Sequence, residues 1–286
     1  MTERIERVVV PLDSASEIEV AIDTAAHLAA RWKVPLHGIF IEDEEVLGLA
    51  GLPFASEVTL LSGSGKLSRH EVERHFRALA EKARRQLEAS AARHQLGWSF
   101  AVTRGPLTPA LLRPRDFVVL SAATRPIGAH FRVQARSWSA IAMSHHPLLL
   151  AGRRWERGGS VLTLLRRSGA LSRRLMALAA EIADLGGREI RVISELPAEE
   201  GVESGREEAL AGRTPALKIE AAPAHPSSLR ERVLALDCRL LVVAAEAALT
   251  EDLRPFVEGA ICDLLVIGED EEEAPPRRQG KALPAS

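Results

Sequence analysis

The side chains best suited to catalysis or metal binding do not assemble into a recognisable set in this 286-residue chain. His145 and His146 form a tempting metal pair, but adjacent residues point in different directions in regular structure, and no third ligand lies near them. Serine, histidine and aspartate occur without the G-x-S-x-G turn of serine hydrolases. Residues 63–66 (Gly-Ser-Gly-Lys) are only a fragment of a phosphate-binding P-loop. We therefore expect no catalytic constellation and no metal site.

Arginines offer a second kind of chemistry, because a guanidinium group binds anions by charge and by paired hydrogen bonds. Arg125, Arg132 and Arg136 follow the apolar run 116–121, and four further arginines lie within residues 166–174. The first cluster is suited to an anionic ligand and the second to an acidic partner. A solvated basic surface explains either cluster equally well, so both interpretations stay open.

The overall composition excludes several classes of function. The net charge of −2 gives no general attraction to nucleic acid or to an anionic membrane. Tyrosine is absent and aromatic residues make up 4% of the chain, which argues against stacking on single-stranded nucleic acid. No apolar run approaches the roughly 18 residues of a membrane span, and the N-terminus does not resemble a secretory signal. Cys238 and Cys262 lie in or beside apolar runs, which predicts buried free thiols and a cytoplasmic protein.

The sequence predicts alternating strands and helices, and these elements must position any functional site. The Val-rich run 7–12 predicts a buried strand of a parallel sheet, and it is followed by an amphipathic helix and by a second strand at 36–41. We interpret residues 42–65 as an irregular loop, 68–96 as one long helix and 108–112 as a short helix. Further strands are predicted at 98–104, 116–121 and 147–151, with a helix at 137–144 between the last two. This order indicates an open, doubly wound sheet of about five parallel strands.

The second half of the chain repeats that order after a polar linker at residues 152–159. A constant shift of 153 positions, without a gap, places Val8 on Val161, Asp13 on Arg166 and Ile39 on Val192. The predicted strands of this half are 161–165, 190–193, 216–221, 240–244 and 263–267, and the predicted helices are 171–185, 229–236 and 252–260. The tail 269–286 is charged and rich in proline, so we expect it to be disordered.

Two short motifs resemble the start of universal stress protein domains: Pro11-Leu12-Asp13 at the end of the first strand and Leu36-His37-Gly38-Ile39 in the second. The resemblance covers most of residues 6–152 and extends to 159–268 through the internal repeat. It implies two tandem domains (1–152, and a shortened one at 159–268), each a five-stranded, adenine-nucleotide alpha-hydrolase-like α/β fold. Domains of this family pair through their last strands, so the resemblance implies an internal pseudo-dimer joined at 148–150 and 264–266.

The resemblance also implies a nucleotide site, because family members that bind ATP or AMP use an aspartate after the first strand and a glycine-rich phosphate loop after the fourth. The positions of domain 1 that would form it are Pro11, Asp13, Gly38, Ser121, Arg136 and Ser137. The phosphate loop departs from the family pattern, since Ser121 and Thr124 stand where early glycines are expected, and a Cβ crowds backbone that glycine adopts easily. In the second half Arg166 replaces the aspartate, and no glycine pair follows the fourth strand.

Three hypotheses about function follow from these features. The first is a universal stress protein-like regulatory protein that is not an enzyme, acts through an unidentified protein partner and has a degenerate nucleotide site. The second is a sensor that binds one AMP or ATP in domain 1. The third, a nucleotide hydrolase, has no base, nucleophile or metal set to support it. A homodimer of the whole chain remains open, and neither a nucleic acid nor a membrane is an expected partner.

Overall fold

The computed structural model describes residues 4–13, 18–50, 56–59, 63–66, 68–121, 140–152, 159–166, 169–194, 217–221, 226–248 and 262–268, and every structural statement below concerns these residues. Three predicted segments lie wholly or mostly outside them: the tail at 269–286, the helix at 252–260 and the helix at 137–144. In the helix predicted at 137–144, residues 140–142 are described and are helical.

The first half alternates strands and helices as expected, and most boundaries agree within one or two residues. Its elements are β1 (Arg7–Leu12), α1 (Ile18–Trp32), β2 (Leu36–Glu42), α2 (Glu44–Leu49), β3 (Ser56–Thr59), β4 (Gly63–Lys66), α3 (Arg69–Arg93), β5 (Trp98–Arg104), a 3-10 turn (Pro109–Leu111), β6 (Asp116–Ser121) and β7 (Leu148–Ala151). The long helix α3 begins after Ser68, whose hydroxyl accepts a hydrogen bond from the Glu71 N–H.

The second half is shorter between its second and third strands. Its elements are β8 (Ser160–Leu165), α4 (Ala170–Gly186), β9 (Glu189–Ser194), β10 (Leu217–Ala221), α5 (Pro226–Ala235), β11 (Cys238–Ala244), α6 (Ala245–Ala248) and β12 (Asp263–Ile267). Cys238 and Cys262 are buried free thiols, as the sequence predicted.

Ten of the strands form one continuous sheet in the order β10-β9-β8-β11-β12-β7-β6-β1-β2-β5. Each set of five is parallel, with the first strand in the middle and the fourth strand beside it. The two sets meet at an antiparallel pair, in which Leu148–Leu150 lie opposite Leu264–Val266. These are the segments expected to pair. They also join the two sets into one sheet, so the seam leaves neither last strand as an exposed edge.

The two faces of the sheet carry two separate apolar cores. The face that contains Val8, Val10 and Leu12 packs against α1, α3 and α4. The opposite face, which contains Val9, packs against Leu107, Ile141 and residues of α5. Because strands β1, β6, β8 and β12 are buried on both faces, their sequences are apolar at successive positions rather than at alternate ones.

The strand register corrects the expectation of a repeat without a gap. Val8 and Val161 face the same core, which agrees with a shift of 153, but Leu36 lies opposite Val8 whereas Ile190 lies opposite Val161. The second strands are therefore related by a shift of 154, and Ile39 corresponds to Ile193 instead of Val192. Ile39 and Val192 in fact face opposite cores, as a slip of one residue requires.

The same shift of 154 relates the ends of the two helices that follow the first strands. Lys33 and Gly187 both have positive φ (56° and 60°) at the C-termini of α1 and α4. The Val34 N–H donates to Ala29 O at 3.0 Å, and the Arg188 N–H donates to Ala183 O at 2.9 Å, which is the same closing hydrogen bond. The additional residue therefore lies between Leu165 and the end of α4.

Residues 42–65 were expected to be irregular, and this prediction was wrong. Asp43 begins the short helix α2 by accepting hydrogen bonds from the Glu45 N–H at 2.8 Å and the Val46 N–H at 3.2 Å. Beyond it, β3 and β4 form an antiparallel pair. The glycines of this segment had suggested a loop, but one capping aspartate and one strand pair organise much of it.

Candidate functional site

A crevice opens at the carboxyl ends of β1 and β6, where the order of the strands reverses. The pairing of β1 with β6 ends at Val9 and Val118, although β1 continues to pair with β2 as far as Leu12. In the same way β6 continues to pair with β7 as far as Ser121. The ends of the two central strands therefore separate, and in open α/β sheets ligands bind at such a switch point.

Pro11 lies on the side of β1 where the pairing has ended. The Val8 N–H donates to Pro35 O, next to β2, and backbone groups alternate in direction along a strand. Position 11 therefore faces β6, where proline has no N–H to offer. Pro11 is compatible with a central strand only because the ladder on that side stops at Val9.

Two of the other predicted site residues, Asp13 and Ser121, flank this crevice. Asp13 directly follows β1, and Ser121 is the buried last residue of β6, opposite Ala151 of β7. The carboxyl ends of β1 and β6 thus bring Pro11, Asp13 and Ser121 to one edge of the sheet. Arg136 and Ser137 lie outside the described residues, so their place in the predicted site stays a prediction.

Gly38 lies further inside the sheet, opposite Val10 and four residues before the end of β2. A Cβ at this position would lie 2.8 Å from Leu87 Cδ2 and 2.9 Å from Phe100 Cδ2. The missing side chain is therefore required by the packing of α3 and β5 against β2. Its assignment to a nucleotide site rests on the resemblance alone.

The same edge carries an ion pair between a buried carboxylate and an exposed guanidinium, which the sequence analysis did not single out. The Glu42 carboxylate at the end of β2 is 10% exposed and accepts a hydrogen bond from Arg104 Nε at 2.7 Å, at the end of β5. This hydrogen bond and the charge of Glu42 raise the pKa of Arg104. The sequence offered one indication of this ion pair. Each residue is the last of its strand, and neighbouring parallel strands end at the same edge of the sheet.

The second half has a similar crevice with different side chains. The pairing of β8 with β11 ends at Thr163 and Val242, although β8 continues beside β9 to Leu165. Arg166 follows β8 where Asp13 follows β1. In the first turns of α4, Arg174 donates to His145 O at 2.6 Å and to Gly268 O at 3.4 Å. The segment at His145, from the first half, thus contacts this edge of the second half. Arginine side chains stand at this edge, where the first half has Asp13.

The opposite edge of the first five strands holds buried polar groups with a structural role. Arg7 Nε and Nη2 donate to the two carboxylate oxygens of Asp116 at 2.9 and 2.5 Å, and the Arg113 N–H donates to the same carboxylate at 2.7 Å. Burial, and then the charge of Arg7, lowers the pKa of His37. Burial, and then the charge of His145, lowers the pKa of His146. These groups lie at the amino ends of the strands, away from the crevice.

The described part of the chain has neither a cluster of metal ligands nor a helix suited to a membrane. No group of three or more histidine, cysteine, aspartate or glutamate side chains there is placed to hold a metal ion. His145 and His146 lie with their ring centres 4.1 Å apart, and one ring nitrogen of His146 is 3.0 Å from Arg113 O. Among the same residues, no helix has both the length and the apolar character needed to cross a bilayer.

Comparison with known proteins gives matches in structure only. No protein-family model matches the chain, and no curated protein matches it in sequence. A universal stress protein from Archaeoglobus fulgidus superposes with a TM-score of 0.58 at 11% identity, covering 93% of this chain and 97% of the other. A functionally unknown protein from Pseudomonas aeruginosa gives 0.58 at 16% identity, covering 93% of each chain. A proposed universal stress protein from the same species gives 0.55 at 16% identity, covering 92% and 93%. At these identities the likeness concerns architecture, and the chain has the α/β fold of the universal stress proteins.

Proposed function

We propose that this chain is a tandem universal stress protein that acts by binding a protein partner in the cytoplasm rather than by catalysis. In this proposal residues 1–152 and 159–268 are two domains of one fold, packed as an internal pseudo-dimer through β7 and β12. The strand order supports it, because the two sets of five repeat one topology around an antiparallel seam. The shared fold does not fix the function, which depends on the side chains of the site.

The observation that carries the proposal is the chemistry of the two crevices. In the second half Arg166 stands where an aspartate would meet a nucleoside. In the first, Ser121 is held in the β6–β7 ladder with its side chain buried, at a position where the family pattern has glycine. Both changes remove features that nucleotide-binding relatives use, while the strands around the crevices are kept. A domain that keeps the fold but lacks the residues that bind the nucleotide is suited to serve as a scaffold for protein partners.

A second candidate function is a nucleotide sensor in domain 1. The observation in its favour is the intact nucleoside end of the first crevice, where Asp13 follows a β1 strand that has already separated from β6. In this case the arginines at 125, 132 and 136 would bind phosphate by charge instead of through a glycine loop.

Calorimetric titration of ATP and of AMP, each with Mg²⁺, into nucleotide-stripped protein tests the two candidates. A folded protein that gives no binding heat supports the partner-binding scaffold. Binding at micromolar concentration with one site per chain supports the sensor, provided that Asp13→Ala abolishes it. Ser121→Gly is the matched gain-of-function variant, because it restores the glycine that the scaffold proposal treats as lost.

A further inference from the structure

The ten-stranded sheet ends at β5, whose outer side pairs with no strand in the described part of the chain. On the inner side, the Leu36 N–H donates to Gly97 O before the strand begins. At the other end of the strand, the Gly105 N–H donates to Glu42 O. Odd-numbered residues therefore turn their backbone groups toward β2, and the even-numbered residues of β5 turn theirs outward. A strand with its backbone groups open in this way is a template for pairing with another chain.

The sequence of β5 lacks the features that usually protect an edge strand. Its seven residues contain no proline, glycine or lysine, and they pair with β2 without a bulge. Its one charged residue, Arg104, is the last of the strand, whereas Val102 is 52% exposed. The strand at the other end of the sheet, β10, has Lys218 and Glu220 among its five residues. Charged residues, prolines and bulges prevent edge strands from pairing, so β5 is the edge suited to pair.

A second copy of β5 fits this edge in an antiparallel register. A twofold axis at Ala101 pairs all seven residues of each strand, and any other register leaves residues at the strand ends unpaired. Phe100 of one copy then lies opposite Val102 of the other, and their outward backbone groups form hydrogen bonds in both directions. An aromatic ring opposite a β-branched side chain is a stabilising cross-strand pair. The exposed Val102 side chain is covered as a result.

The charged residue of the strand does not oppose this pairing. In the same register Arg104 lies opposite Trp98 of the second copy, so no two like charges face each other. Arg104 Nε also keeps its hydrogen bond of 2.7 Å to Glu42, because a guanidinium group can donate from its edge while its face stacks on an indole. The pairing therefore takes no side chain away from a partner that it already has.

We propose that two copies of this chain form a dimer through antiparallel pairing of their β5 strands around a twofold axis at Ala101. The chain already uses this geometry at its seam, where the equivalent strands β7 and β12 pair antiparallel. Pairing of β5 joins the two sheets and leaves only the charged β10 strands as edges, so the assembly closes at two copies. The dimer goes beyond the scaffold function and is independent of the nucleotide test, since β5 lies two strands away from β1.

Sedimentation of the whole chain at micromolar concentration tests the dimer. Val102→Lys should weaken dimerisation by about tenfold or more, because each interface then receives two lysines opposite Phe100. Leu234→Lys is the matched control, because Leu234 is 59% exposed and lies on α5, away from this edge. It should leave dimerisation unchanged. A monomeric wild-type chain, or an equally strong dimer in Val102→Lys, would overturn the proposal.

Cysteine variants test the register and remain informative if the lysine variant fails to fold. Opposite residues of a non-hydrogen-bonded antiparallel pair have Cα atoms about 4.5 Å apart, which is within the range of a disulfide. Ala101→Cys should therefore link two copies when oxidised glutathione is added. Ser99→Cys is equally exposed and two residues away, but it faces Thr103 of the second copy and should not link. The two native cysteines are buried. No link in Ala101→Cys, or a link in Ser99→Cys alone, would overturn the proposed pairing.

Discussion

Replacing Gly38 with alanine should destabilise the protein through packing alone. The new methyl group would lie 2.8 Å from Leu87 Cδ2 and 2.9 Å from Phe100 Cδ2, and Leu87 is fully buried. Overpacking of this kind costs about 1–3 kcal/mol. Replacing glycine in a strand returns about 0.5–1 kcal/mol of backbone entropy. Taking the middle of each range, we expect the free energy of unfolding to fall by about 1 kcal/mol.

Urea denaturation followed by far-ultraviolet circular dichroism measures this loss. Gly48→Ala is the matched control, because a Cβ there has no neighbour within 4 Å and the position lies in α2. That control should gain about 0.5–1 kcal/mol. Wild-type stability in Gly38→Ala would show that the neighbours move aside easily and would refute the packing argument.

A double-mutant cycle tests the contact with Leu87 directly. Leu87→Ala alone should cost about 2–5 kcal/mol, because it leaves a cavity under α3. In the double variant the methyl group added by Gly38→Ala no longer meets Leu87 Cδ2, so the combined loss should be smaller than the sum by about 1–2 kcal/mol. Strict additivity would mean that Gly38 and Leu87 do not interact, and the glycine would then need another explanation.

Four other predictions follow from single contacts. Asp116→Asn should cost about 3–5 kcal/mol, because it leaves the Arg7 guanidinium buried without its carboxylate. Glu81→Gln, in the exposed pair with Arg84, should cost under about 0.5 kcal/mol. The midpoints of urea denaturation measure both losses. Thr163→Val should be neutral or stabilising in the same assay, because the Thr163 hydroxyl is buried without a hydrogen-bond partner and the first half has Val10 there. Lys33→Gly should raise the thermal midpoint, since its φ of 56° favours glycine and Gly187 occupies the equivalent position; a lowered midpoint would contradict this. Burial lowers the pKa values of His37 and His146, so the folded protein favours their neutral forms. The free energy of unfolding should therefore be highest above the unfolded pKa of about 6.5 and should fall as the pH drops below that value. Its dependence on pH should be less steep in His37→Gln.

The sequence identified most strands because the sheet is buried on both faces. The runs 116–121 and 263–267 were bounded correctly, since apolar residues stop where the strands leave the core. The same property hid the register of the second strand in the repeat. Val192 and Ile193 are both apolar and both buried, so the sequence does not show which of them faces α4. Only pairing with β8 decides it.

The candidate site was partly predictable for a different reason. Asp13 and Ser121 follow or end parallel strands, and the carboxyl ends of such strands meet at one edge, so their proximity follows from topology. The reason for a glycine at 38 lies in Leu87, which is 49 positions away on α3, and no local pattern reveals it. The ion pair of Arg31 with Asp184 depends on α1 and α4 meeting across the seam, which the sequence also does not state.

The two crevices together indicate what the fold supplies and what the side chains must add. If Pro11 opened the first crevice by interrupting the ladder, the second crevice would need a proline at the equivalent position of β8. That residue is Leu164, which has an N–H. The β8–β11 ladder nevertheless ends at Thr163, only one position later than the β1–β6 ladder. The separation of the central strands therefore comes from the topology and twist of the sheet, with proline tolerated there as a consequence. A crevice remains when its ligand residues are replaced, so its presence alone is weak evidence for a nucleotide. The exchange of Asp13 for Arg166 carries more weight than the shape around it.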